Sequence, residues 1–437
     1  MNYEILAVMM LGTLIVALMF GMRLAFILGG VALLYGLPTF GKTIIYQFSL
    51  NIFDLMCSFS MVAVPLFVYM GVILEKSGIA ERLYDGLYKL FGPLKGGLAI
   101  GTIILSTLFG ACTGTVGAAV ITIGVFALSS MVNSGYCKKL ASGSVCAGGG
   151  LGVIIPPSIL LILYGPVAGV SISKLFAAAV IPGLILSISY MTYVFIRCTI
   201  NPSLAPVVPP EERNNNLRET TDFIIKTLFP FLALILLVLG SIFFGIAAPT
   251  EAAAVGAIGG IVLTIAYKRM TLQIFKESVQ QTVKITSMVM FVVLGANLFT
   301  GVFLRLGGGR LINDAILYLS LGRIGTLVVM LLGIFVLGMF MDWVGLLMIL
   351  VPIYAPISGV MNYDPIWFGI LFCITLQISY MTPPFAYSAF YLKGVAPPGV
   401  SLKDIYKGGI PFVIIQLLAM ILFIIYPELS TWLPSNM

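Results

Sequence analysis

Apolar stretches of about 18 residues or more recur along the whole chain, and nothing constrains its fold more. A helix needs about 20 apolar residues to cross a hydrocarbon core of ~30 Å. In that core there is no water to pair backbone N–H and C=O groups, so the chain must pair them itself. Composition agrees. Only 9% of the 437 residues are charged, against about 25% in a soluble domain, and mean hydropathy is +1.12. Too few charges remain to cover a soluble surface, so the lipid bilayer is the solvent. The net charge of +7 sits in short loops between apolar runs, where it sets orientation; it is no signature of a nucleic-acid partner. The chain has no His, which removes histidine bases, metal sites and proton relays. Six scattered Cys form no CxxC and read as small packing residues. The start, Met1-Asn2-Tyr3-Glu4, lacks a basic segment, so the first apolar run reads as a retained helix.

The chain also aligns with itself at an offset of 227 to 230 residues. Tyr136 falls on Tyr363, Pro156-Pro157 on Pro383-Pro384, and Tyr164 on Tyr391. Gly71 falls on Gly301, Leu74 on Leu304, Gly78 on Gly308 and Gly29 on Gly256. Internal repeats of this kind mark secondary transporters. Basic residues give their orientation. Lys138-Lys139 matches a stretch near Pro365 without a cation; Lys268, Arg269, Lys276 and Lys284 match a segment holding only Lys42. Lys393, Lys403 and Lys407 match one holding only Lys174. Since basic loops belong inside, equivalent loops lie on opposite sides and the repeats are inverted.

The expected fold is therefore an all-α polytopic membrane protein. Its first repeat covers 1–197, with spans at 4–22, 23–40, 52–75, 140–165 and 176–197. A cytoplasmic linker follows at 198–222, carrying Pro209-Pro210-Glu211-Glu212-Arg213. The second, inverted repeat covers 223–437, with spans at 223–245, 250–267, 285–304, 366–392 and 409–427. Each repeat should supply scaffold helices, an arm helix, a hairpin and a broken helix. Segments 97–133 and 324–361 have both ends on one side and read as re-entrant hairpins, inner and outer. Amphipathic stretches at 79–91 and 309–320 read as interfacial helices. Arg305, Arg310 and Arg323 fall on the outer side with no other account.

Gly36 to Thr43 matches GxxxxGK[ST], but follows a span and has no strand before it, so it reads as a loop. The chemistry concentrates elsewhere. Phe109 to Ala119 holds three glycines and two threonines within an apolar segment, which should unwind the helix. Unwound backbone at bilayer depth survives only where it is buried or lines a cavity; its carbonyls and hydroxyls are hard oxygen ligands for an alkali cation. Helix packing by small residues is the competing explanation. Facing it, Ala147 to Gly152 and Ile155-Pro156-Pro157-Ser158 should break a helix, the usual device for building a transporter site. The second half repeats this with Gly338 to Gly345 and with Gln377 to Pro384. By the offset Asp342 takes the place of Thr115. An acid within a span costs about 2.5–3.5 kcal/mol on insertion scales and is normally functional; its charge suits a sodium ion or a carried proton. Glu251 is explained by its helix N-terminus, and Asp54 by a span end. Lys393 can meet an anionic substrate or act as a positive-inside anchor.

One cation site is thus expected at Thr113, Gly114, Thr115, Gly150 and Pro156, and another at Gly338, Asp342, Gln377 and Thr382. Gly117, Ser158, Gly345 and Pro383 are candidates for touching the solute. An intramembrane enzyme would need paired acids, a nucleophile with a base, or metal ligands, and these are missing. An open channel suits facing half-broken hairpins less well than alternating access does.

Pro65-Leu66-Phe67 through Gly71, Gly110 to Ala119, Gly148 to Ser158, Ala248 to Ala254, Gly338 to Asp342 and Thr382-Pro383-Pro384 together resemble the large membrane subunit of tripartite ATP-independent periplasmic (TRAP) transporters. The resemblance covers nearly the whole chain. It implies an elevator-type carrier in a bacterial inner membrane, driven by Na+ as coupling ion, with sodium sites at the two hairpins and facing breaks. It implies a small four-helix membrane subunit and a periplasmic substrate-binding protein as partners, and a small organic acid as solute. Thr113 and Thr115 stand where many members have serines, which keeps the hydroxyls.

Overall fold

The computed structural model describes residues 3–20, 22–207, 221–318 and 321–437. Pro209, Pro210, Glu211, Glu212 and Arg213 of the expected linker lie outside the described residues. Among the described residues every regular element is helical. Eight helices of 18 residues or more are apolar enough to cross a membrane, and six shorter ones are apolar too.

The first repeat begins with α1 (Tyr3–Met19) and α2 (Leu24–Phe40), then α3 (Thr43–Cys57), α4 (Ala63–Lys76) and α5 (Ile79–Phe91). A hairpin follows, α6 (Gly97–Thr113) and α7 (Val116–Asn133, with a π turn). Next come α8 (Lys138–Gly150) and α9 (Ile159–Ala168), the two halves of a broken helix, and α10 (Ile172–Ile200). The second repeat has α11 (Thr221–Phe243), α12 (Pro249–Ala266), α13 (Leu272–Arg305), α14 (Gly308–Tyr318) and the hairpin α15 (Gly322–Gly338) and α16 (Trp343–Val360). The broken helix α17 (Pro365–Met381) and α18 (Tyr387–Val395), then α19 (Leu402–Ile425) and α20 (Glu428–Ser435), complete the chain.

Local chemistry sets the starts. Asp364 accepts from the N–H groups of Ile366 and Trp367, with Pro365 in the first turn of α17. Ser401 and Asp404 form a reciprocal cap at α19. Glu251 accepts from Ala248 N at 2.8 Å, so this acid is a helix cap as expected.

Two spans differ from expectation. The expected span 52–75 is divided: α3 ends at Cys57, a 3-10 turn covers Phe59–Val62, and α4 follows. Its counterpart is α13, one continuous helix of 34 residues, longer than the expected 285–304. Pro65 lacks an N–H and its ring clashes with the carbonyl four residues back; Leu294, 229 residues later, keeps the ladder intact. The added segments carry Gln47, Asn51, Asp54, Gln273, Lys276 and Glu277, so apolarity alone does not mark them. Gly36 to Phe40 is helical, and the expected loop shrinks to Gly41-Lys42.

The repeats cross-pair. Helix α2 packs on α13 while its counterpart α12 packs on α4. Backbones come close there: a Cβ on Gly295 would lie 2.6 Å from the Ala25 carbonyl, and one on Gly256 would lie 2.7 Å from Met70 Sδ. In the core, α9 packs on α16 and α18 on α7, so each repeat holds half of the other's site. The paired tyrosines close the hairpin bases. Tyr136 Oη accepts from Leu98 N at 3.2 Å, and Tyr363 Oη donates to the Arg323 carbonyl. Arg323 lies 5.5 Å from the Tyr363 ring centre and donates to the Asn362 carbonyl at 3.1 Å, which gives this cation a structural role.

Candidate functional site

The site grows from the two hairpin tips. Helix α6 stays regular to Thr113; Gly114 then turns left-handed (φ +61°) and donates to the Gly110 carbonyl at 2.9 Å. Only Gly114 and Thr115 leave the helix, fewer than the glycines and hydroxyls predict. Gly110 serves contact instead, since a Cβ there would lie 2.7 Å from Gly152 Cα. At the other tip α15 ends at Gly338, and α16 starts after Asp342, whose carboxylate accepts from Val344 N at 3.2 Å. Thr115 and Asp342 both occupy the cap position before the second hairpin helix, 227 residues apart.

In the first repeat the helix breaks at the expected Ile155-Pro156-Pro157-Ser158 but not at the glycine run before it. Gly148 to Gly150 is helical, and the chain departs from regular structure at Ile154 to Ser158. The glycine run is a contact surface: Gly148 faces Ser106 and Gly149 faces Val120 of the hairpin. Ser158 Oγ donates to the Val153 carbonyl at 2.5 Å and stands before α9. In the second repeat the departure runs from Thr382 to Ala386, and Thr382 Oγ1 donates to the Ile378 carbonyl at 2.7 Å. The Pro156-Pro157 and Pro383-Pro384 bonds are both cis.

Each tip lies on its own break. A Cβ on Gly114 would lie 3.1 Å from Ile159 N, and one on Gly338 would lie 2.5 Å from Ser379 Oγ. Four helix starts and four helix ends therefore gather around the tips and breaks. Starts carry partial positive charge and favour anions; ends offer carbonyls to cations. Among the buried oxygens without a hydrogen-bond partner among the described residues, Thr113 Oγ1 stands at the first tip and Gln377 Oε1 on the helix leading into the second break. Orphaned hard oxygens beside helix ends suit an alkali cation.

The candidate residues do not all meet as two separate sets. Gln377 Nε2 donates to the Gly150 carbonyl at 2.5 Å, joining a residue expected in one site to a residue expected in the other. Gly345 faces Leu24 of α2, away from the breaks. Gly117 faces the Tyr391 ring, its Cβ position 3.2 Å from Cε2. Pro383 is exposed while Pro156 and Ser158 are buried. Lys393 donates to the Val400 carbonyl at 2.8 Å, tying down the loop after α18.

Sequence reasoning missed an aromatic group beside Asp342. The Tyr380 and Tyr387 rings meet edge-on with centres 5.9 Å apart, and Tyr391, one turn after Tyr387, reaches Gly117 of the first hairpin. Tyr380 Oη is buried without a partner among the described residues, and Tyr387 Oη donates to the Phe340 carbonyl at 3.3 Å. Only the Tyr164 and Tyr391 repeat pair hinted at this. Contacts to the scaffold were missed too: Thr122 of α7 donates to Glu75 Oε1 of α4 at 3.0 Å, and Thr300 of α13 donates to the Met348 carbonyl of α16 at 3.1 Å.

Residues 11–429 match the family described as tripartite ATP-independent periplasmic transporter, DctM component. The chain belongs to that family. It is thus a large permease subunit of a TRAP transporter. The permease is 31% identical over 397 residues to the C4-dicarboxylate TRAP transporter large permease protein of Pseudomonas aeruginosa, covering 91% of each chain. It is 29% identical to the sialic acid TRAP large permease of Vibrio cholerae (86% of this chain, 87% of that one). To the 2,3-diketo-L-gulonate TRAP large permease of Escherichia coli it is 29% identical over 96% of each chain. Among solved structures, the YdaH transporter of Alcanivorax borkumensis shares the fold with a TM-score of 0.64 at 14% identity, over 91% of the permease and 90% of that chain.

Proposed function

We propose that the permease imports a small organic acid together with sodium, using an elevator motion of the hairpin and broken-helix core against the outer scaffold. The observation that carries this is the paired arrangement of tip and break, with Thr113 and Gln377 each presenting an orphaned buried oxygen. In the first site, the Thr113 hydroxyl and the backbone around Gly114, Thr115 and Pro156 would hold one Na+. In the second, Asp342 and the backbone around Gly338 and Thr382 would hold another. The bound cations would supply positive charge beside the helix starts at Thr115, Ser158, Asp342 and Ala386, which favour an anionic solute. Tyr380, Tyr387 and Tyr391 bring hydroxyl donors to the same region. The acids named for relatives, C4-dicarboxylates and sialic acid, are both anionic.

Partners in this reading are a periplasmic binding protein that delivers the acid and a small membrane subunit. By the span order, Lys42, Lys174, Arg305, Arg310 and Arg323 would fall on the face where the second hairpin opens, and most of the other described cations on the opposite face. By the positive-inside rule that face is the periplasmic one in this reading, in which the permease works in a bacterial inner membrane. Small side chains at the core–scaffold boundary, such as Gly71 against Cys112 and Thr113, favour sliding over interlocking.

The test is uptake into proteoliposomes holding the permease with both partners. Uptake should follow an inward sodium gradient and stop when that gradient is collapsed at constant membrane potential. Uptake indifferent to sodium would reject the coupling.

A further inference from the structure

Away from the hairpins, a cavity of about 640 Å³ opens where α5, the start of α11 and the end of α12 meet. Among the described residues four cations line it, Arg82, Lys226, Lys268 and Arg269, and no acid does. Apart from Thr227 the rest of its described wall is apolar or aromatic: Pro230, Leu263, Ala266 and Tyr267. Tyr267 is fixed in place: its hydroxyl donates to the Thr227 carbonyl at 3.0 Å, and the Arg82 guanidinium sits 5.8 Å from its ring centre. Lys226 pairs with Asp222 at 2.8 Å on an exposed surface. Arg82, Lys268 and Arg269 have no carboxylate within 4 Å among the described residues. Lys268 adopts a left-handed conformation (φ +56°) where a glycine would be easier, so its side chain is kept against a backbone preference.

We infer that this cavity binds the headgroup of an anionic phospholipid of the cytoplasmic leaflet. Charge and position together decide the occupant. A soluble anion would need only the cations, whereas a lipid also needs an apolar wall open toward the acyl chains. Pro230 and Leu263 supply that wall on two spanning helices, α11 and α12. The amphipathic helix α5 packs its apolar residues, Leu83 and Leu87, into the protein and leaves Arg82 exposed; in the proposed site Arg82 would lie at the depth where phosphates reside. Unpaired Lys and Arg beside a leaflet surface are the usual recognition elements for such headgroups. The bound lipid would tie α5 to α11 and α12, and this inference is independent of what the permease transports.

The experiment uses the full chain in phosphatidylcholine nanodiscs doped with phosphatidylglycerol, with retained lipid read by native mass spectrometry after partial delipidation. Wild-type protein should retain phosphatidylglycerol. The triple variant R82Q/K268Q/R269Q should lose about tenfold or more of that retention. A control triple, K89Q/K276Q/K284Q, removes the same charge from the same face outside the cavity and should behave as wild type. Because Arg82 stacks on Tyr267, the single variant K268Q, at an exposed position, serves as the fold-neutral check and should show a partial loss. Equal losses in both triples would reduce the effect to diffuse surface charge and overturn the site. Displacement of phosphatidylglycerol by millimolar inorganic phosphate alone would reassign the cavity to a soluble anion and overturn the lipid.

Discussion

The side chain of Gln377 donates to the carbonyl of Gly150 at 2.5 Å, and the two residues are separated by 227 positions, the offset that relates the repeats. A residue that touches its own repeat equivalent lies beside the axis relating the two copies. The helices leading into the two breaks therefore meet at the centre of the core, Gly150 on the last turn of α8 and Gln377 on α17. The amide also leaves its oxygen buried and free of partners among the described residues.

Replacing Gln377 with Leu keeps the volume and removes the donor. The Gly150 carbonyl then loses a buried partner, which costs about 1–3 kcal/mol. The midpoint of thermal unfolding in detergent, followed by Trp fluorescence, should fall by several degrees. An unchanged midpoint would mean that the contact contributes nothing to the core.

Asp342 combines a cap and a charge, and two substitutions separate them. Asn caps a helix as well as Asp does, so D342N should keep thermal stability and lose sodium-dependent uptake. D342A should lose both, with stability falling by about 1 kcal/mol. Uptake measured against sodium concentration in proteoliposomes checks this.

Thr113→Val removes an orphaned hydroxyl while preserving shape, so the fold should be unharmed or slightly stabilised. A ligand to a charged ion contributes about 1.5–3 kcal/mol, and 1.4 kcal/mol is tenfold. The sodium concentration for half-maximal uptake should therefore rise about tenfold or more, and T113S should restore it.

Gly71→Ala would place a Cβ 2.7 Å from the Cys112 carbonyl oxygen and from Thr113 Cα, backbone atoms that cannot rotate aside. Overpacking of this kind costs about 1–3 kcal/mol. It should lower both thermal stability and apparent sodium affinity by displacing the tip. Gly301→Ala meets only Gln47 Nε2 at 3.7 Å and should be tolerated.

The repeat made much of this legible. A fixed offset carried Thr115 to Asp342, Tyr136 to Tyr363 and one double proline to the other, and local chemistry then explained each cap and break. What the offset does not encode is which copy packs on which. The crossing of α9 onto α16 and of α18 onto α7 depends on three-dimensional packing of apolar faces that look alike in sequence. Tyr380, Tyr387 and Tyr391 were hidden for the same reason, since only the crossing brings Tyr391 to Gly117. The glycines after Ala147 misled because the same residue type serves a turn at Gly114 and close helix contact at Gly148, Gly149 and Gly152. Gly71 pairs with Thr300 at an offset of 229, the length relation of α3–α4 to α13, and not with Gly301.

The two breaks are buried unequally. Pro157 is buried while Pro384 is exposed, so the two breaks are not equivalent in accessibility. A cysteine at position 384 should react with a soluble maleimide far faster than one at 157. Equal rates would contradict the asymmetry.

Sodium binding to the purified permease tests the central claim without partners or substrate. Radioactive sodium should bind the wild-type chain, resist competition by potassium, and be lost stepwise in T113V, D342N and the double variant. Full binding retained by the double variant would contradict the assignment of the coupling ion to the hairpin tips.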